Sequence, residues 1–136
     1  MFNKKKFDVI FIDGLHTYDQ VRKDIINSLK SLTHKKVSFI ALHDMLPRNW
    51  KEQHIPVISR GAWNGDVWKN IVESRTKPEI DTYVVHADHG IGMILKKPNK
   101  KILNLSINNF KKLKFKDYFY NYKQYLNVVY REDLKN

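Results

Sequence analysis

The chain of 136 residues contains no cysteine. That excludes a disulfide framework, a thiolate metal site and a cysteine nucleophile. Glycine is scarce, with five residues at positions 14, 61, 65, 90 and 92. None builds a Gly-x-Gly turn between a strand and a helix, because Gly90-Ile-Gly92 leads into a strand instead. The glycine-rich cradle that wraps a nucleotide's phosphates is therefore missing. No apolar run approaches the length of a membrane span, and Met1-Phe-Asn-Lys-Lys-Lys6 lacks the apolar core of a signal peptide. A cytoplasmic protein with no membrane partner is expected. No two histidines stand at the i, i+4 spacing of a helical zinc motif. Arginine is scarce too: it supplies five of the 25 basic residues, and lysine the rest. The formal charge of +11 points toward anionic partners. The lysine excess, alongside abundant Asn, Ile and Tyr, instead resembles AT-rich coding, since base and phosphate recognition favours arginine. Specific nucleic-acid binding is not expected.

Two short runs carry most of the information. Phe7–Ile12 and Val37–Leu42 are apolar and stop abruptly, the first at Asp13-Gly-Leu-His16 and the second at His43-Asp44. Buried parallel strands read this way when their carboxyl ends open into a site. Gly14 lets the backbone turn after the first. Thr17-Tyr-Asp-Gln20 has the form of a capping box, with Gln20 reaching back to Thr17. Tyr18, Val21, Ile25, Leu29 and Leu32 then recur at helical spacing. Strand, helix and strand with short joints predict a parallel βαβ unit. Asp13, His16, His43 and Asp44 should then converge at one sheet edge.

Met45 to Gly65 has no periodicity and holds Pro47 and Pro56, the mark of a functional or mobile loop. Asp66 is placed to cap a second helix in which Trp68, Ile71, Val72 and Arg75 share a face, with Pro78 after its end. Ile80–Ala87 and Ile91–Leu95 read as strands, and Asp88-His-Gly90 between them suits an antiparallel hairpin. Residues 1–97 thus form one unit. Residues 98–136 form a basic, tyrosine-rich extension: eight lysines fall between Lys96 and Lys116. Tyr118, Tyr122, Tyr125, Leu126 and Val129 follow at helical spacing, with Asp117 as cap. This helix is expected to pack on the domain or on a second copy.

In this order the elements resemble the second half of a class I S-adenosylmethionine-dependent methyltransferase. Ile12-Asp-Gly-Leu-His16 is similar to the end of that family's fourth strand. Ala41-Leu-His-Asp44 is similar to the end of its fifth. Trp63-Asn-Gly-Asp-Val-Trp-Lys69 is similar to the stretch opening the next helix in members that modify small molecules and sugars. The resemblance implies a partial Rossmann-like α/β sheet: two parallel strands with a crossover helix, then a helix and an antiparallel hairpin, followed by the C-terminal helix. It also implies S-adenosylmethionine as cofactor and a small-molecule or sugar methyl acceptor as partner. Asp13 and Gly14 would lie on the cofactor side.

Methyl transfer needs an aligned and often deprotonated acceptor. A histidine can serve as general base, here His43 or His16. A divalent cation such as Mg²⁺ can instead lower the acceptor's pKa. Asp13 and Asp44 offer the hard carboxylates such an ion prefers. Arg48, Trp50, Arg60 and Trp63 could grip a sugar ring or an anionic substrate. Each residue also has a plain structural explanation. An aspartate before glycine caps turns, and a loop tryptophan anchors the loop. The resemblance lacks the glycine-rich half. A fragment, a second chain supplying that half, and a non-catalytic truncated module for self-association or partner binding all remain open. A sheet cut at its middle strand exposes Phe7–Ile12 as an unpaired edge, and homodimerisation across it is expected.

Overall fold

A computed structural model describes residues 5–135. Nine main elements follow one another. They are β1 Val9–Ile12, α1 Tyr18–Ser31, β2 Phe39–Leu42, α2 Trp50–Gln53, α3 Trp68–Arg75, β3 Asp81–Val85, β4 Ile91–Leu95, α4 Phe115–Tyr125 and β5 Val128–Val129. Single 3₁₀ turns cover Phe110–Lys112 and Arg131–Lys135. The strands form one mixed sheet in the order β1-β2-β4-β3-β5. β1 and β2 run parallel, Val9 beside Phe39 through Ile12 beside Leu42. The hairpin β3–β4 is antiparallel, and β4 inserts between β2 and β3, antiparallel to both. The chain is therefore a mixed α/β structure. No helix among the described residues is long and apolar enough to cross a membrane.

α1 forms where the apolar stripe predicts it. Tyr18, Val21 and Ile25 are buried along it, and Leu32 closes it at 0% exposure. Its N-terminus departs from the expected capping box. Thr17 accepts from the Gln20 amide at 3.4 Å, but the Gln20 side chain turns away to Asp24. The remaining donor goes to a distant residue: the Tyr18 amide donates to Asp66 at 2.7 Å. Asp66 thus serves α1 and leaves α3 without a side-chain cap. Short-range sequence rules cannot see a cap lent across 48 positions.

The strands are shorter and wetter than expected. β1 is not buried on both faces: Val9 and Phe11 are exposed because β1 is the last strand on its side of the sheet. Val37 lies outside β2 and is exposed. Gly14 is not in the left-handed region, and a side chain there would meet only Asp24 Oδ2 at 3.9 Å, so that turn does not require glycine.

The core gathers Leu32, Ile40, Leu42, Trp68, Ile71, Val72, Val84 and Ile94 between sheet and helices. Every residue of α3 is buried. Burying Trp68 and its neighbours contributes on the order of 2 kcal/mol per large side chain. Residues 98–136 join this core through Leu103, Tyr118 and Leu126, and they extend the same sheet by β5, parallel to β3. The expected helix ends at Tyr125, so Val129 belongs to β5 and not to the helical stripe. Arg75, 1% exposed, ties α3 to this segment. Its guanidinium donates to the backbone carbonyls of Lys101 and, at 3.2 Å, Gln124.

Candidate functional site

The parallel pairing of β1 and β2 sets their carboxyl ends side by side, and the His43 amide donates to Ile12 O at 3.2 Å across that end. Asp13, His16, His43 and Asp44 come together there as the spacing predicts. His16 Nε2 lies 3.1 Å from Asp44 and 3.5 Å from Asp13. His43 Nδ1 lies 3.1 Å from the same Asp44 oxygen and 3.9 Å from Asp13. Asp44 is the inner carboxylate, its side chain 11% exposed, and Asp13 the outer, at 42%. Ligand atoms of Asp13, His43 and Asp44 all lie within 4.8 Å of one another.

Two neighbouring segments hold this rim. Gly65 sits at φ +69°, where a side-chain Cβ would fall 1.7 Å from His16 O. Only glycine lets loop 63–66 approach the β1–α1 turn this closely. The approach delivers the Trp63 carbonyl to His16 Nδ1 at 2.8 Å and the Trp63 ring to 5.4 Å from the imidazole. Gly90, at φ +88°, lets the β3–β4 hairpin press on Leu46. The Met45 and Leu46 amides donate to Gly90 O and His89 O at 3.1 and 2.8 Å. Asp44 itself stands at φ +68°, a left-handed conformation that costs an L residue about 1–2 kcal/mol. Neighbouring contacts hold it there, including the Asn64 side chain on its carbonyl at 3.4 Å.

The two histidines differ. A carbonyl can only accept, so Trp63 O fixes a proton on His16 Nδ1 and turns Nε2 toward the two aspartates. His43 is held at both nitrogens by carboxylates, Asp44 on Nδ1 and Asp88 on Nε2 at 3.2 Å. Burial works against charge on this ring. The hydrogen bonds from Asp44 and Asp88 and the nearby Asp13 outweigh it, so His43 keeps its proton to higher pH than an ordinary histidine. His43 thus bridges two carboxylates, while His16 spans a backbone carbonyl on one nitrogen and the Asp13–Asp44 pair on the other.

Asp88 escapes a sequence reading because Asp-His-Gly looks like turn chemistry alone. The only hint is that it precedes a histidine in the hairpin, and His89 does reach the rim, 6.0 Å from His43 ring to ring. Of the four loop residues expected near substrate, only Trp63 touches the rim. The Arg48 guanidinium grips Glu52 at 2.6 Å, Trp50 packs edge-on to His54 at 4.6 Å, and Arg60 is exposed on the loop.

An adenosyl cofactor finds no glycine cradle among the described residues, and Gly14 has open space rather than a close approach. The donor set suits a hard divalent ion better, since two carboxylate groups and an imidazole converge. Comparison with family models, curated proteins and solved structures finds no match to the chain.

Proposed function

We propose that this chain carries the acceptor side of an S-adenosylmethionine-dependent methyltransferase acting on a small molecule or sugar. The observation that supports the reading is the convergence of Asp13, His16, His43 and Asp44 at adjacent parallel strand ends. In this reading Asp13 and Asp44, with His43 after it gives up its proton, hold a divalent cation. Bound there, the ion would lower the pKa of an acceptor hydroxyl. Asp44 orients both imidazoles. His16 takes the acceptor proton at Nε2 while Trp63 O keeps the ring from rotating. The Trp63 ring lies on one side of this position, 5.4 Å from the imidazole. The adenosyl group is outside what these residues hold, so the chain's own contribution ends at the activated acceptor.

The test is calorimetry of a panel of catechols and sugars on the chain with Mg²⁺ present. Mg²⁺-dependent binding of an acceptor, weakened at least about tenfold by Asp44→Asn, is expected. Binding of no acceptor, or binding indifferent to Mg²⁺, contradicts the reading.

A further inference from the structure

We infer that β1 is the contact strand of a two-fold symmetric dimer, pairing antiparallel with β1 of a second copy about Ile10. The inference is independent of the methyltransferase reading. Among the described residues β1 ends the sheet, and past the Phe7–Leu32 bridge its outer edge has no strand beside it. Its bonds to β2 use Asp8 O, which accepts from the Phe39 amide at 3.0 Å, and Ile12 O, which accepts from His43. Backbone groups alternate sides along a strand, so residues 8, 10 and 12 face β2. Val9 and Phe11 therefore point their N–H and C=O groups out of the sheet. The two residues are 52% and 61% exposed.

Antiparallel pairing must oppose outward groups to outward groups, which leaves few registers. Centring on Val9 would need the backbone of Phe7, but that is already spent on Ser31 O at 2.8 Å and the Thr33 amide at 2.9 Å. Centring on Phe11 leaves Val9 opposite Asp13, beyond the end of β1 and without a strand partner. Centring on Ile10 sets Val9 against Phe11 of the other copy, twice. All outward groups of both residues are then paired, and each cross-strand pair is aromatic against β-branched, a favourable combination. The charges agree as well. The start of each strand carries exposed Lys5 and Lys6, and its end carries exposed Asp13. Antiparallel pairing lays the basic start of one copy along the acidic end of the other. A hollow of about 430 Å³ beside Phe7, Val9 and Phe11, floored by Asn27 and Ser28 of α1, gives the second copy's side chains room. A like strand satisfies all of these features through an isologous contact.

The absence of cysteine makes the register directly testable. Val9→Cys and Phe11→Cys chains, mixed and oxidised, should form a mixed disulfide dimer faster than either variant alone. Val37→Cys, on an exposed site away from the edge, should not form one. Sedimentation should show a dimer that Val9→Lys converts to monomer with unchanged circular dichroism. A monomer at every chain concentration, a dimer indifferent to Val9→Lys, or cross-linking at position 37 equal to that at the edge would overturn the inference.

Discussion

Two regions of this molecule bury charge, and they do so differently. Around α3 each charged group has its own fixed partners. Glu73 takes Arg22 at 3.1 Å and the Tyr18 hydroxyl, Lys69 takes Asp66 and the Lys111 carbonyl, and Arg75 takes two backbone carbonyls. At the rim Asp44 is shared by two histidines, and His43 is shared by two carboxylates. The first pattern pairs every one of these side chains, with Arg75 Nε the one atom left without a partner, and closes the core. The second leaves competing partners at a half-open edge, beside a residue held at positive φ. Paired burial is what stability requires. Shared, solvent-reachable burial costs stability, and a bound ion or acceptor can resolve it.

The contrast makes ordered predictions. Arg75→Ala should have the largest effect on folding, about 3 kcal/mol by urea denaturation, because it leaves a cavity and two orphaned carbonyls that bind the C-terminal segment. Gly65→Ala should cost about 2 kcal/mol or more and also move Trp63 off His16, read as a changed His16 ring signal in NMR. Asp44→Asn should sharpen the distinction: folding stability changes by less than about 1 kcal/mol, since Asn adopts the same left-handed backbone and keeps an accepting oxygen for the histidines, while divalent-ion affinity falls at least about tenfold.

The smallest effect is on pH. His43 has a raised folded pKa, so its contribution is fully present below the unfolded histidine value of about 6.5 and fades as pH rises through the folded value. Asp88→Asn should lower the His43 NMR titration midpoint. An unmoved midpoint would place the Asp88 contact outside the rim's chemistry.

Much of this could be read in the sequence where neighbours along the chain decide it. The β1–α1–β2 unit followed from two apolar runs, a helical stripe and the abrupt Asp13 and His43-Asp44 endings. The β3–β4 hairpin followed from Asp88-His-Gly90, three consecutive residues at positive φ. What escaped depends on sheet order. Asp88 reaches His43 because β4 inserts next to β2, and nothing local to Asp88 encodes that insertion. Asp66 looks like a cap for the helix it precedes, yet it serves α1. β5 is two residues long, too short for any pattern to show. Arg48 and Trp50 looked like substrate contacts, but Glu52 and His54 on the same loop engage them first.

If the rim's shared carboxylates form a cation-holding centre rather than a capping arrangement, Mn²⁺ binds there. Electron paramagnetic resonance of Mn²⁺ titrated into the full chain at neutral pH reads that binding. Bound Mn²⁺ is expected with the native chain and is lost in the Asp13→Asn, Asp44→Asn double variant, while circular dichroism stays the same. Equal Mn²⁺ signals from the native chain and the folded double variant, or none from either, would contradict it.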